Sequence, residues 1–280
     1  MKRHLTRAAL ALTAIAVIVG TAGPAQAIVN GTDDAGAHPA VGLWQADSTD
    51  DGTDHNLYPV CGGTLVSPTV VLTAGHCPYL VRTTTSNIDT SRVCIDFSAV
   101  YQIPLSKARQ THCGSLHVRP TFVPEGPQGP LVSPERNDTA VIVLDRPVYG
   151  ITPARLPRVG LLGAMAPQFT DRTFVSVGYG ATGVDASGHG IHNTDNRRRA
   201  FLAAPRLTDR YLKSTIHTTG PTGGSCFGDS GSGVFIAGTN VLAASVTTGD
   251  PTCTTVNIDT RLDNTSVQDF LAGFGVPRGK

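Results

Sequence analysis

Charge is scarce in this chain. Charged side chains make up 15% of its 280 residues, against ~25% in an average domain, and the basic and acidic totals, 22 and 21, nearly cancel. A balance of that kind builds no field for a polyanion, so nothing in it points to nucleic acid. Membrane-length apolar segments are missing too: the run from Ala8 to Val19 is too short to span a bilayer. There are no internal repeats at solenoid periods and no low-complexity tails. What remains is 40% apolar, with 31 glycines and 19 prolines, which favours a turn-rich β protein over disorder. The length suits one large or two modest domains and is enough to bury a substantial core.

The amino terminus reads as an export signal. Lys2, Arg3 and Arg7 precede the apolar run, and Ala25-Gln26-Ala27 supplies the small-x-small site that a signal peptidase cuts; a membrane anchor is the alternative. Residues 1–27 carry those three basic side chains and no acidic one, so the remainder holds 19 basic against 21 acidic residues, a net charge of −2. Cutting after Ala27 creates an Ile28-Val29-Asn30-Gly31 terminus with no propeptide left to remove. All six cysteines lie beyond Ala27, an even number that fits three disulfides in an oxidising compartment.

Short β-rich runs separated by Gly, Pro and Asp follow: Val41–Trp44, Gly62–Val66, Val70–Thr73, Arg92–Phe97 and His117–Val118. The Asp50–Asp54 patch lacks the spacing and terminal glutamate of an EF-hand, so it reads as a solvated loop, and no metal is assigned. Pro120, Pro124, Pro127, Pro130 and Pro134 keep the chain irregular up to Asp138. Asp145 to Gly163 turns to Pro, Arg and Gly and marks the connection between halves; Phe174–Gly180 then opens a second β-rich half. Asp185 to Asn196 is an exposed loop, and Arg197-Arg198-Arg199 reads as a solvated face rather than a polyanion site. Val267, Phe270, Leu271 and Phe274 recur at helical spacing, with Thr265 or Ser266 as N-cap and Gly275 and Pro277 as stops.

The chemistry centres on Cys226-Phe227-Gly228-Asp229-Ser230-Gly231-Ser232-Gly233, a serine among glycines that let a substrate approach the backbone closely. Serine is a poor nucleophile at its free pKa, so it needs a histidine within hydrogen-bond reach and a carboxylate to orient that histidine. His76 in Val71-Leu72-Thr73-Ala74-Gly75-His76-Cys77 and Asp138 in Asn137-Asp138-Thr139-Ala140 stand upstream in suitable settings.

The order His76, Asp138, Ser230, with the Ile28-Val29-Asn30-Gly31 start, resembles the chymotrypsin/trypsin-like serine proteases from Ile28 to about Phe274. The resemblance implies an all-β fold of two six-stranded antiparallel Greek-key barrels with a C-terminal helix, residues 28–155 forming the first and 156–280 the second. It implies a secreted endopeptidase without cofactor or metal, a monomer acting on polypeptides and meeting protein protease inhibitors, with no membrane or nucleic-acid partner. Ser230 would attack the scissile carbonyl, His76 carry the proton, Asp138 orient His76, and the Gly228 and Ser230 N–H groups form the oxyanion hole. Ser245 matches a serine that supports the aspartate. The freed Ile28 amine would pair with Asp229. Cys61 would bridge to Cys77 and Cys226 to Cys253, leaving Cys94 for Cys113, a disulfide preferred over a metal cluster of His112, Cys113 and His117.

In specificity, Gly224 stands where trypsin-like members carry the aspartate that pairs with Lys or Arg, so cleavage after those residues is disfavoured. Thr247 and Asn257 read as pocket walls suited to a small or polar side chain. Tyr179 replaces the tryptophan of the family's Gly-Trp-Gly turn, Asn30 replaces a glycine, and Ser232-Gly233 stands where Gly-Pro is usual, so that Gly233 loosens the backbone there. An α/β-hydrolase esterase fails on two counts, since position 232 is not glycine and His76 comes first. A secreted binding protein on an inactive protease-like scaffold is the alternative function, and the complete His76, Asp138 and Ser230 set argues against it.

Overall fold

The computed structural model of the chain describes residues 28–47, 57–79, 89–101, 111–192 and 196–280. Residues 1–27, which the sequence reads as an export signal, and the Asp50–Asp54 patch lie outside the described residues. After a two-residue strand β1 (Thr32–Asp33), the chain builds β2 (Val41–Asp47), β3 (Leu57–Ser67), β4 (Val70–Thr73), β5 (Asp89–Asp96), β6 (Thr111–Val118) and β7 (Ala140–Leu144). These six close into a barrel in the order β2-β3-β4-β7-β6-β5, every pairing antiparallel.

Strand periodicity decides what each side chain does here. On β2, Trp44 and Ala46 point into the barrel with Leu65, Val71, Ile95 and Ile142, while Val41 and Leu43 point outward into a second apolar cluster. Trp44 is fully buried, and its indole N–H donates to Thr73 Oγ1, which donates in turn to the Gly62 carbonyl at 2.7 Å. The indole is thereby satisfied while its ring fills the barrel.

The second half is made of β8 (Phe174–Gly178), β9 (Arg198–Phe201), β10 (Ala203–Leu207), β11 (Tyr211–Thr215), β12 (Gly233–Ile236), β13 (Leu242–Gly249) and β14 (Val256–Arg261). Its sheet runs β1-β9-β8-β12-β13-β14-β11-β10. The neighbouring strands β9 and β10 sit near opposite ends of that order, yet only Leu202 separates them in sequence. The chain bends at Ala204, whose φ is +42°. The curled sheet therefore comes round on itself through one bent strand that pairs with β8 by its first half and with β11 by its second, whereas the first barrel closes by hydrogen bonds alone.

The outward cluster of the first barrel meets Val175, Val177, Phe235 and Leu242 from the second, and Val267 and Leu271 seal it from one side. Those two lie on α2 (Thr265–Ala272), which follows a short α1 (Leu161–Met165). The cap of α2 is Asn264, one residue earlier than the sequence suggested: it has extended φ and ψ of −95° and 133°, and its carbonyl accepts from Val267 and Gln268 N–H. Phe274 reaches across to the first barrel and stacks on His117 at 5.3 Å.

Two further expectations are corrected. Arg197 and Arg198 are not a solvated face, being 2% and 8% exposed. Arg197 pairs with Asp34 at 3.0 Å through Nε and donates from Nη1 to the carbonyls of Val41 and Phe97 and to the Tyr179 hydroxyl, so a buried guanidinium ties the second barrel to the first. Gly233 does not loosen its strand. A Cβ there would come within 2.6 Å of Phe235 Cε2 and 2.8 Å of Leu242 Cδ1, so close packing demands the glycine.

The two disulfides that the resemblance implied form, Cys61–Cys77 and Cys226–Cys253, and so does the pair left over, Cys94–Cys113. Cys94 and Cys113 face each other across β5 and β6. Cys113 is thus unavailable as a metal ligand, and the same holds for Cys61 and Cys77 beside His76.

Candidate active site

The strand β4 ends at Thr73, and the chain turns so that His76 lies at the mouth of the cleft between the halves, only 7% exposed. Asp138, fully buried just before β7, receives two hydrogen bonds from it: the His76 main-chain N–H to Oδ1 at 2.8 Å and ring Nδ1 to Oδ2 at 2.9 Å. The second fixes the tautomer, leaving Nε2 to exchange a proton. Asn137 makes the approach possible. Its φ is +55°, tolerable for asparagine, and its side chain donates to the Thr121 carbonyl at 2.9 Å, closing the proline-rich loop.

Ser230 lines the same cleft as His76. Its carbonyl accepts the Gly62 N–H at 2.8 Å, so β3 of the first barrel holds the serine loop of the second. Gly231 permits that approach: its φ is +79°, and a Cβ would lie 2.3 Å from Thr73 Oγ1 and 2.6 Å from the Gly62 carbonyl. Gly228, with φ +91°, turns the chain so that Asp229 N–H bonds to the Cys226 carbonyl and Ser232 N–H to the Asp229 carbonyl. The N–H groups of Gly228 and Ser230 donate to no acceptor among the described residues.

Asp229 points away from the cleft into the interior and is fully buried. Its oxygens accept the Gly180 and Cys226 N–H groups at 2.8 and 3.0 Å. Burial pushes its pKa up to about 7, against the pull of those N–H groups and that of Tyr179. Ile28 is also fully buried, and Val29 exchanges two hydrogen bonds with Gly224. Among the described residues, Ile28 and Asp229 form no ion pair, because the Ile28 nitrogen in the uncut chain belongs to the peptide bond with Ala27. Asn30 explains its own departure: φ is +53° and its amide donates to the Gly220 and Thr222 carbonyls.

The cleft encloses about 290 Å³. Thr247 and Asn257 line it, with Ser225, Ile216 and Phe227, whereas Gly224 does not. Gly224 lies behind Asn257, whose Nδ2 would be 2.5 Å from an added Cβ. Ser225 donates to Asn257 Oδ1 at 3.0 Å, and Thr247 Oγ1 bonds Thr260 Oγ1 at 2.7 Å, so both pocket walls are held in place. The expected support of Asp138 by Ser245 is absent: the hydroxyl is buried without a hydrogen bond.

Three contributors escaped sequence reasoning. Glu125 and Glu135 reach the cleft from the proline-rich loop. Burial alone would lower the pKa of His76, but Asp138, and then Glu135 and Glu125, outweigh it and hold the imidazole above its ordinary value. Asp250 accepts from the Thr254, Thr255 and Val256 N–H groups and the Thr252 hydroxyl, fixing the turn that carries Cys253, whose φ is +53°. A carboxylate three residues before a cysteine in a Thr-rich stretch was the available signal.

A family model described as Trypsin matches residues 28–270. Two solved structures share the fold. An HL collagenase aligns with a TM-score of 0.62 at 20% identity, over 89% of this chain and all of its own. A mutant of human heparin binding protein aligns with a TM-score of 0.59 at 18% identity, over 88% of this chain and 95% of its own. A search of curated proteins returns no match.

Proposed function

This chain belongs to the trypsin family over residues 28–270, and from that premise we propose that it is a secreted serine endopeptidase. The observation that carries the reading is the doubly bonded His76–Asp138 pair opening on the same cleft as Ser230. In this reading the Ser230 hydroxyl attacks a peptide carbonyl while His76 Nε2 takes its proton. The oxyanion rests on the unengaged N–H groups of Gly228 and Ser230, and His76 then protonates the leaving amine. Water, deprotonated by the same imidazole, releases the acyl group. Asp138 stabilises the imidazolium throughout.

Maturation completes the site. Cleavage after Ala27 frees the Ile28 amine, which pairs with Asp229 and braces the adjacent Gly228–Ser230 turn. Pairing raises the amine pKa above its free value of ~7.7–8.0. The stability it contributes is present below that free value and lost as pH rises through the folded one, so activity falls on the alkaline side. Residues 28–155 and 156–280 are the two units, and polypeptides and protein inhibitors that imitate them are the partners of a monomeric enzyme.

Cleavage after small or polar residues is favoured. A substrate Lys or Arg would meet the neutral Asn257 amide, which covers Gly224, while the Asp250 carboxylate lining the same cleft is engaged by the N–H groups and hydroxyl of its own turn. A polyanion-binding scaffold is disfavoured by the burial of Arg197 and Arg198. Labelling with a phosphonofluoridate tests the enzyme reading: covalent modification of Ser230 supports it, and an unlabelled protein without peptidase activity rejects it. A peptide-library profile dominated by Lys or Arg would reject the pocket assignment alone.

A further inference from the structure

The first half of the molecule supplies His76, Glu125, Pro130 and Glu135 to the cleft, and the catalytic scheme above gives the two glutamates no contact with the substrate. Their placement follows from the proline-rich loop. Val123 and Arg136 exchange two main-chain hydrogen bonds at 2.9 Å, and the Gly126 N–H donates to the Ser133 carbonyl, so Glu125 and Glu135 stand on the two facing arms of one hairpin. The Tyr211 hydroxyl donates to the Glu135 carbonyl, and the Asn137 amide closes the base of the loop on Thr121. Pro124, Pro127, Pro130 and Pro134 fix φ along it. The loop thus offers its carboxylates from a preset backbone, which lowers the ordering cost of binding.

Neither glutamate is matched by a cation of this chain. Among the described residues no Lys or Arg lines the cleft, and no ion pair includes Glu125 or Glu135. Glu135 is 8% exposed, lines the cleft, and keeps one carboxylate oxygen without a hydrogen-bond partner, a condition that an approaching positive charge relieves. The third carboxylate of the cleft differs, since Asp250 is engaged by the N–H groups and hydroxyl of its own turn. Burial raises the Glu135 pKa with His76 opposing, and a cation beside it favours the charged form.

A substrate can bring that cation. His76 and Ser230 must flank the scissile bond, and the pocket for the scissile side chain, walled by Thr247 and Asn257, belongs to the second half. Successive side chains of an extended peptide point to opposite faces. The side chain next to the scissile residue therefore turns away from that pocket, toward the wall that the proline-rich loop provides. We infer that Glu125 and Glu135 form an acidic subsite that selects a Lys or Arg immediately beside the scissile residue. This rests on the endopeptidase reading and adds a requirement to it: a small or polar residue at the cut and a cation next to it. Glu125, exposed, meets the ammonium or guanidinium at the rim, while Glu135, deeper, adds a charge that solvent screens less.

The test uses the secreted protein and its Glu125→Gln, Glu135→Gln and doubly substituted forms. Peptides keep one small scissile residue and carry Lys or its neutral counterpart norleucine at each adjacent position in turn. The readout is the Lys to norleucine ratio of kcat/KM, in which any effect of the substitutions on His76 alone cancels. At low salt the ratio is expected to be about tenfold at one of the two positions, the worth of a partly buried charge pair. It should fall toward one in the doubly substituted protein and shrink as salt rises. A ratio near one at both positions in the unsubstituted protein overturns the proposal, and so does a tenfold ratio that survives both substitutions. Should Glu135→Gln fail to fold, Glu125→Gln at its exposed position carries the test with an expected fall of about threefold, and an unchanged ratio overturns the subsite. If no peptide is cleaved, the endopeptidase reading fails by itself. The same comparison is then made on peptide Kd by fluorescence polarisation: a Lys preference lost in the doubly substituted form supports the subsite, and equal affinities overturn it.

Discussion

The two barrels divide stability and chemistry between them. The first is filled by Trp44, Leu65, Val71, Val93, Ile95 and Ile142 and closes by hydrogen bonds right round. The second has a smaller apolar interior around Phe174, Leu212, Val234 and Val246, and Asp229, Asp259 and Ser176 are buried alongside it, the last two with unpaired side-chain oxygens. Its ring is completed through the bend at Ala204. Buried polar atoms without a partner occur in both, at Gln45, Thr64 and Asp96 in the first and at Ser176, Ser232 and Asp259 in the second, so the difference lies in what each half presents: the first carries His76 and Asp138 at the cleft, and the second supplies the pocket and the serine turn.

The comparison is sharpest at its extremes. Ser230→Ala touches only the second barrel's loop and removes the nucleophile, so peptidase activity should fall by about 10⁶-fold with the unfolding midpoint unchanged. Kinetics on a peptide amide and thermal denaturation check it; retained activity would end the endopeptidase reading. Trp44→Ala is its counterpart in the first barrel, expected to cost ~3–5 kcal/mol through the cavity it leaves. Denaturant unfolding would measure this, with the remaining folded enzyme keeping its substrate preference. A loss below 1 kcal/mol would show that the first barrel is not the stable partner.

The pocket wall offers a smaller effect. Thr247→Gly removes a side chain that lines the cleft and bonds Thr260, and should raise relative kcat/KM for larger substrate side chains by about tenfold, the worth of one or two methylenes in such a pocket. An unchanged library profile would place the specificity elsewhere.

How much of this was legible depended on how local each feature was. His76, Asp138 and Ser230 each sit in a short motif whose neighbours help position it, so the motif and the proposed chemistry travel together. The cysteine pairs were likewise readable. Arg197-Arg198-Arg199 misled because three adjacent charges look solvated, and only the fold brings Asp34, Phe97 and the Tyr179 hydroxyl round Arg197. Gly233 misled because the crowding by Phe235 and Leu242 arises across strands. Asp259 was not singled out, and nothing in Asn257-Ile258-Asp259-Thr260 tells which face turns inward. The strands β11, β13 and β14 were not singled out because their Thr, Ser and Asn content blurs the alternation that burial on both sides already weakens.

The smallest effect is a displacement of the acid limb, and it probes how the loop of the first half tunes the rim residue. Glu135 is 8% exposed, its main-chain carbonyl accepts the Tyr211 hydroxyl at 2.7 Å, and one of its carboxylate oxygens has no partner. Burial raises its own pKa, with His76 opposing. Its negative charge is one of those that hold His76 above the ordinary histidine value in spite of burial. A general base acts in its neutral form, so kcat/KM should rise with pH through that elevated value, above ~6.5. The linkage has the matching sign: a raised folded pKa contributes stability that is fully present below the unfolded value and lost as pH climbs through the folded one. Glu135→Gln keeps the size and the loop while deleting the charge. The acid limb of kcat/KM should therefore move to lower pH by several tenths of a unit, on the order of 0.5 kcal/mol, and the low-pH stability owed to protonated His76 should shrink by a similar amount. Since Glu135 is itself protonated at the acid end, the two profiles converge there and separate most where His76 titrates. A limb that stays fixed in Glu135→Gln would leave Asp138 as the dominant charge on His76 and remove Glu135 from the tuning of the site.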